Sequence, residues 1–280
     1  MPKVKVNDIK INYDQQGSGE PIVLIPYVAA DHACYAFQVA EYARHFTCIS
    51  LDPRGAGESD KPEGVYTTEL YADDVAGFMD AIGVENAHIF GLSFGTGVAL
   101  WLAAKYPDKV KSLSIHGAWT KTDPFLKTII EGWRVMAKAM GSVHEMVIQG
   151  IFPWCLTPDL YADRPDYIES LAAFVRSRPE QPLDAFMRQT QAVLDHDVEP
   201  HLGKIKVPIQ VTLGEHDMVT SKRHADRIAA AILGTEVTIF EGCSHAPLYE
   251  KVEDFNRVTL DFLQRHSAAS NSVGAAGPVV

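Results

Sequence analysis

The chain has few of the features that mark secreted, membrane-spanning or disulfide-stabilised proteins. Its four cysteines are scattered, with no C-x-x-C pair and no spacing typical of zinc, so we expect reduced thiols. No apolar run approaches the roughly 20 residues that a membrane helix needs. The first residues pass directly into an alternating strand pattern without a signal peptide. These absences predict a cytoplasmic protein with no membrane partner.

Positive charge is also in short supply. The chain has 25 Lys and Arg residues against 36 Asp and Glu residues, and its formal net charge of −11 disfavours binding to nucleic acid. Gly17 and Gly19 are not a dinucleotide fingerprint, because no strand–turn–helix unit surrounds them. Asp195, His196 and Asp197 are sequence neighbours, and neighbouring side chains rarely reach one metal ion. We therefore expect no cofactor and no metal. The chain of 280 residues is long enough for a large core.

The most informative segment has the pattern G-x-S-x-G and runs from Gly91 to Gly95. An apolar run at 87–90 precedes it and a helix-forming run at 98–104 follows it, so the pattern lies at a strand-to-helix junction. A serine at such a sharp turn is lifted clear of the sheet, and the flanking glycines let neighbouring backbone approach closely. This placement predicts that Ser93 is a nucleophile, with an ordinary helix N-cap as the alternative.

A serine hydroxyl needs a base to take its proton and a third group to orient that base. Asp217 follows a buried strand pattern at 207–213, and His245 follows the last strand pattern at 236–240. The order Ser, Asp, His along the chain differs from the orders of chymotrypsin and subtilisin. The sequence therefore predicts Asp217 as the acid and His245 as the base.

Four ordered segments resemble motifs of the α/β-hydrolase superfamily. They are a D-x-R-G-x-G-x-S turn, the nucleophile elbow, an acid loop and a histidine loop, at Asp52–Ser59, Gly91–Gly95, Gly214–Asp217 and Gly242–Pro247 with Glu250. The resemblance, which covers roughly residues 1 to 265, implies an α/β fold with a mostly parallel eight-stranded sheet flanked by helices. It also implies a helical cap after strand six. Within the superfamily the chain looks most like small serine esterases, lactonases and cofactor-free haloperoxidases.

The hydrophobic pattern along the chain agrees with this organisation. Residues 4–13 alternate apolar and polar side chains, which predicts one half-exposed strand, and strand and helix patterns then alternate. We predict a core domain at 1–118 and 203–265, a helical cap at 119–202 and a disordered tail at 266–280. Aromatic residues of the cap are candidates for the wall of an apolar pocket.

The resemblance also implies which backbone groups stabilise a developing oxyanion. One donor is the N–H of Phe94, and the other comes from the loop after the strand at 21–25. Relatives place His-Gly in this loop, whereas this chain has Pro26 and Tyr27, which makes Val28 the expected donor. Because proline lacks an N–H and tyrosine does not share glycine's freedom, the loop departs from the family pattern.

Other residues are candidates for roles around this centre. Some relatives supply the acid after the preceding strand, which makes Asp123 a rival of Asp217. Asp52 and Arg54 are expected to be structural, in a turn that packs beneath the site. Five side chains are candidate substrate contacts, with plain packing as the alternative for each: Tyr27, His32, His116, Trp119 and Trp154.

Together these residues predict a serine hydrolase that cleaves a small, partly apolar carboxylic ester or lactone through an acyl-enzyme on Ser93. Three alternatives stay open: a cofactor-free oxygenase or haloperoxidase-like enzyme, a C–C bond hydrolase, and a non-enzymatic small-molecule receptor. The expected partner is the small ester or lactone itself, bound by a monomer or homodimer. The sequence does not define the acyl group, the alcohol, or a preference for open-chain or cyclic esters.

Overall fold

An eight-stranded sheet runs through the structure, a computed structural model that describes residues 1–267. The strand order is β1-β2-β4-β3-β5-β6-β7-β8, in which β1 and β2 are antiparallel to their neighbours and β3 to β8 are parallel. The strands are β1 (Lys3–Val6), β2 (Ile9–Gly17), β3 (Pro21–Ile25), β4 (Thr47–Leu51), β5 (Ala87–Leu92), β6 (Val110–His116), β7 (Ile209–Gly214) and β8 (Glu236–Phe240). The predicted fold class is confirmed.

Helices cover the sheet, and this is why the central strands are continuous apolar runs. Every residue of β5 and of β7 is buried. The helix after β5 packs on that strand and beside the helix before it, whereas the last helix packs on β6. Within residues 1–267, the α-helices outside the segment between β6 and β7 are α1 (Ala36–Tyr42), α2 (Thr68–Ala81), α3 (Phe94–Lys105), α10 (Lys222–Ala231), α11 (Pro247–Glu250) and α12 (Val252–Arg265).

The segment between β6 and β7 is helical, and we call its residues 119–202 the cap. Its helices are α4 (Pro124–Met140), α5 (Val143–Met146), α6 (Phe152–Cys155), α7 (Pro158–Asp163), α8 (Pro165–Ser177) and α9 (Leu183–Leu194). A single π-helical turn at Val147–Ile151 joins α5 to α6, and such turns often occur at functional sites. No helix within residues 1–267 is long and apolar enough to cross a bilayer.

The N-terminal strand prediction is wrong in detail. The alternating run at 4–13 is divided between β1 and β2, because Asn7 adopts a positive φ of 49° and turns the chain between them. The second strand continues to Gly17, which pairs with Thr47 of β4. All four cysteines are buried and free. Of the tail predicted at 266–280, residues 268–280 lie outside the described part of the chain.

His116 ends β6 inside the core, so its predicted contact with substrate is wrong. Its ring lies 4.3 Å from the ring of Phe90 and 4.7 Å from that of Phe255, measured between centroids. Its Nδ1 is 2.5 Å from Oγ1 of Thr212 on the neighbouring strand. Burial lowers the pKa of His116 to about 3. The side chain is therefore neutral near pH 7 in the folded protein.

We expect His116 to make folding sensitive to mild acid. An unfolded histidine has a pKa of about 6.5, so below that pH only the unfolded state gains the proton and stability falls. Between pH 7.5 and 5.5 this contributes a loss of about 1 kcal/mol, which His116→Asn should remove. Urea unfolding at both pH values measures the difference. The exposed His216→Asn serves as the control. An unchanged pH dependence in His116→Asn would contradict the assignment.

Candidate active site

Ser93 lies on a strained turn between β5 and α3. Its backbone has φ 49° and ψ −118°, a positive-φ conformation that costs a non-glycine residue roughly 1–3 kcal/mol. A Cβ on Gly95 would overlap the carbonyl oxygen of Ile25, and a Cβ on Gly91 would lie 2.7 Å from the carbonyl oxygen of Gly95. The N–H of Ser93 donates to the carbonyl oxygen of His116 at 2.8 Å. Close packing of backbone thus holds the serine in its strained turn.

His245 and Asp217 form a buried pair. Nδ1 of His245 is 2.8 Å from Oδ2 of Asp217, and the other carboxylate oxygen accepts from the N–H groups of Val219 and Thr220, both at 2.8 Å. Burial raises the pKa of Asp217, but the adjacent imidazole and these hydrogen bonds outweigh burial and hold the pKa below its ordinary value. The carboxylate therefore stays ionised and directs Nδ1 toward itself.

The outer nitrogen of this histidine is available for chemistry. Nε2 of His245 is buried and makes no hydrogen bond within the described residues. His245 and Ser93 line the same cavity, so one substrate can contact both side chains. The rival acid lies elsewhere, because Asp123 caps α4 through the N–H of Leu126 and pairs with Arg223 at 2.9 Å. The structure thus brings Asp217, and not Asp123, to the predicted base.

The cavity in front of Ser93 is apolar and is built largely by the cap. It holds about 680 Å³ of empty space, including the part open to solvent. None of the residues lining it within the described chain is Lys, Arg, Asp or Glu. The lining residues are Tyr27, Val28, Leu92, Ser93, Trp133, Val147, Ile151, Phe152, Cys155, Leu156, Leu171, Phe174, Val175, His245, Ala246 and Tyr249. A charged group on a ligand would find no ion-pair partner there.

A second, smaller cavity is also lined by the serine. Ser93, Val28 and Trp133 line both cavities, and Trp119 and Phe94 contribute only to the smaller one. The remaining walls of the smaller cavity are mainly apolar, from the cap helix α4 and from the segment after β7. Ser93 therefore borders two pockets, and a ligand at this serine can extend into either of them.

Two backbone N–H groups are unoccupied beside Ser93. Phe94 is the first residue of α3, so its N–H has no acceptor within the helix. The N–H of Val28 makes no hydrogen bond in the part of the chain that the structure describes. The unusual loop folds as a turn in which the N–H of Ala30 donates to the carbonyl oxygen of Tyr27 at 3.3 Å. The positive φ that this turn requires falls on Ala29, at 62°, and not on Tyr27.

A cap residue that the sequence analysis missed holds this loop. The N–H of Ala29 donates to Oε1 of Gln189 on α9 at 3.0 Å, and Nε2 of Gln181 donates to the same oxygen at 3.2 Å. Arg178 of the cap pairs with Asp31 of the loop at 2.8 Å. The sequence does contain one indication of this role: Gln189 is an amide within the apolar stripe of a helix. The structure buries this side chain completely.

The remaining predicted substrate contacts divide into two groups. Tyr27 lines the large cavity and Trp119 the small one. His32 and Trp154 line neither, which corrects both predictions. Nδ1 of His32 is instead 2.6 Å from Oδ1 of Asp52. Trp154 lies on the short helix α6, next to Cys155, which lines the cavity instead.

Two clusters of acidic residues and histidine have the composition of metal sites, but their members make hydrogen bonds and ion pairs with neighbouring residues. The ligand atoms of Asp31, His32 and Asp52 lie within 4.8 Å of one another. Asp52 accepts from the N–H of His32 and from Nδ2 of Asn12, and Asp31 pairs with Arg178. In the second cluster, Nδ1 of His196 lies 2.8 Å from Thr68 Oγ1, whereas Asp197 pairs with Lys121. Both clusters fit hydrogen-bond networks that support the loops.

A serine at a strand-to-helix turn and a buried histidine–aspartate pair, at the carboxyl ends of parallel strands, have the geometry of a nucleophile–base–acid site. A family model described as the alpha/beta hydrolase fold matches residues 18–252. The chain therefore belongs to the alpha/beta-hydrolase family.

Individual relatives have different activities. The chain is 26% identical over 280 residues to the 2-hydroxy-6-oxo-6-phenylhexa-2,4-dienoate hydrolase of Comamonas testosteroni, with 93% of each chain covered. It matches the structure of the enol-lactonase from Burkholderia xenovorans LB400 with a TM-score of 0.84 at 25% identity, covering 94% of this chain and 100% of that one. It matches Est816, an N-acyl homoserine lactone degrading enzyme, with a TM-score of 0.79 at 26% identity, covering 93% of this chain and 100% of that one.

Gly117 gives a direct test of how closely His245 must be placed. Gly117 has φ +60°, and a Cβ there would lie 2.5 Å from Cε1 and 3.0 Å from Nδ1 of the imidazole. We expect Gly117→Ala to displace the ring and slow the labelling of Ser93 by a fluorophosphonate roughly 100-fold, as small misplacements of reacting groups do. Gly141→Ala is the matched control, because its φ is +66° with nothing within 4 Å of the new Cβ. Equal labelling rates in the two variants would contradict this placement.

Gln189 should affect the rate of reaction more than binding. We expect Gln189→Leu to lower the maximal rate of phosphonylation of Ser93 about tenfold, a fraction of the effect of deleting an oxyanion donor. The half-saturating concentration of the reagent should change less. Adding Ala29→Gly should restore most of the rate, since glycine adopts the positive φ without strain. Gln191→Leu, which removes a part-buried contact with Arg134 and an exposed one with Asp195 from the same helix, is the control. Failure of the glycine rescue would count against the positioning role.

Proposed function

We propose that this protein is a serine hydrolase that cleaves a small, uncharged and partly apolar carboxylic ester or lactone. The observation that carries the proposal is that His245, held by Asp217 and with Nε2 unpartnered within the described residues, lines the same cavity as Ser93. A base with its proton-accepting nitrogen unoccupied, beside a strained serine, is the arrangement needed to generate an alkoxide nucleophile.

The proposed reaction proceeds through an acyl-enzyme. Oγ of Ser93 attacks the carbonyl carbon while Nε2 of His245 takes the hydroxyl proton, and ionised Asp217 stabilises the imidazolium that forms. The N–H groups of Val28 and Phe94 then donate to the oxyanion, each contributing about 3 kcal/mol in the transition state. His245 returns the proton to the leaving oxygen. Water, activated by the same imidazole, finally releases the acid from Ser93.

The character of the cavity supports a neutral substrate. The relative from Comamonas testosteroni is named for a dienoate, which is a carboxylate, whereas no Lys or Arg is found among the lining residues described above. A carboxylate buried without a cation costs several kcal/mol. Cleavage of a C–C bond in such an acid is therefore the weaker candidate. The two matched structures named as lactone-cleaving enzymes favour the ester or lactone reading.

The decisive experiment combines a substrate panel with loss of the nucleophile. We expect hydrolysis of p-nitrophenyl esters and simple lactones by the wild type, and a loss of about 10⁴-fold or more in Ser93→Ala. Ser170→Ala, an exposed serine of the cap, is the control. Oxidative turnover that survives in Ser93→Ala would instead favour the cofactor-free oxygenase. Absence of fluorophosphonate labelling of the wild type would favour a receptor.

A second arm of this experiment tests charge selectivity. We expect the p-nitrophenyl ester of valeric acid to be hydrolysed at least about 100-fold faster than the corresponding half-ester of glutaric acid, because its carboxylate would be buried without a partner. The two acyl chains have the same number of carbons. Comparable values of kcat/KM for both esters would show that the cavity accepts an anion, and the neutral-substrate part of the proposal would fail.

A further inference from the structure

Two tyrosines meet on the wall of the large cavity. Tyr27 follows β3 and Tyr249 lies on α11, and both line the cavity. Their hydroxyl oxygens are 2.9 Å apart. The hydroxyl of Tyr249 also lies 2.8 Å from the carbonyl oxygen of Cys34, to which it donates. These two short contacts determine where the phenolic protons lie.

A carbonyl oxygen only accepts, and a tyrosine hydroxyl has a single proton to donate. Because Tyr249 donates its only proton to the carbonyl oxygen of Cys34, the hydrogen bond between the two hydroxyls must be donated by Tyr27. Burial raises the pKa of both tyrosines, so both protons remain in place at neutral pH. The hydroxyl of Tyr27 is therefore committed as a donor to its neighbour and retains only the capacity to accept.

No other group in residues 1–267 donates to this oxygen. The remaining polar side chains of the cavity wall are already engaged or are weak. Nε1 of Trp133 donates to the carbonyl oxygen of Gly150 at 3.0 Å. Burial raises the pKa of the Cys155 thiol, which remains neutral and a weak partner. Apart from the reacting Ser93 and His245, the oxygen of Tyr27 is the strongest side-chain acceptor on this wall.

Tyr27 immediately precedes Val28, whose N–H is the proposed oxyanion donor, and both residues line the cavity that Ser93 also lines. We propose that the hydroxyl oxygen of Tyr27 accepts a hydrogen bond from a hydroxyl or N–H group on the substrate, near its scissile carbonyl. The inference rests on the proposed function and deepens it. The substrate class becomes a neutral ester or lactone with one hydrogen-bond donor beside the carbonyl and apolar surface elsewhere.

Two single substitutions, one at each tyrosine, distinguish an acceptor role of Tyr27 from ordinary packing. Phenylalanine at 27 keeps the ring and removes the acceptor, which leaves a donor on the substrate buried and unpaired. Phenylalanine at 249 removes the group that holds the proton of Tyr27, so that Tyr27 becomes able to donate as well. The two changes therefore act on different substrates: the first lowers the relative rate of a donor-bearing substrate, and the second raises that of an acceptor-bearing one. A packing role predicts neither effect.

The test uses three phenyl esters that differ at one position: α-hydroxybutyrate, α-methoxybutyrate and butyrate. We expect the ratio of kcat/KM for the hydroxy ester to that for butyrate to fall about tenfold in Tyr27→Phe. In Tyr249→Phe the methoxy ester should gain severalfold relative to butyrate, because the freed proton can reach its ether oxygen. Tyr167→Phe removes a nearby hydroxyl that donates to the backbone of Tyr249, and should keep the wild-type ratios.

The outcomes distinguish the two proposals. Hydrolysis of all three esters with unchanged ratios in Tyr27→Phe would overturn the acceptor role and leave the serine hydrolase intact. An equal loss for all three esters would also overturn it, because that is the result of damaged packing. Failure of the wild type to hydrolyse any ester or lactone would overturn the proposed function and the acceptor role together. A lower hydroxy-to-butyrate ratio in Tyr27→Phe, together with a higher methoxy-to-butyrate ratio in Tyr249→Phe, supports the inference.

Discussion

The hydrogen bond between His245 and Asp217 is the interaction on which the site depends. It joins loops that follow two different strands, β8 and β7, and it is buried, so water does not compete for either partner. Two backbone N–H groups donate hydrogen bonds to the carboxylate and stabilise its ionised form. A carboxylate that stays charged fixes the tautomer of the imidazole, and the outer nitrogen is then free to act on the serine.

Close approach of backbone is the second constraint. Ser93 follows β5, Asp217 follows β7 and His245 follows β8, and the carboxyl ends of parallel strands lie at one edge of the sheet. Glycine at 95 and 117 lets the elbow and the imidazole come within contact of neighbouring chain. The strain at Ser93 is maintained because the surrounding core is too tightly packed for the turn to relax.

The local hydrophobic pattern predicted the parallel sheet. It also predicted Asp217 and His245, which the structure brings together, because each of these residues follows a short apolar strand. The pattern did not predict the side-chain contacts that depend on long-range packing. His116 has the position of a site residue at a strand end, yet its ring turns toward Phe90 in the core. His32 is drawn to Asp52, and the contact of Gln189 with Ala29 joins residues far apart in the chain. No periodicity encodes these partners, which depend on how the cap rests on the sheet.

The contacts from the cap to the loop at 27–31 have a mechanical consequence. Since Gln189 and Arg178 both anchor that loop, α9 cannot swing outward as an independent flap without releasing Ala29 and Asp31. Under the proposed function, wide opening of the cap would release the loop that carries Val28. Substrates that enter through small side-chain movements would leave the N–H of Val28 in place, whereas bulky ones would displace it. We therefore expect the cap to limit the size of the substrate, even where the cavity has room.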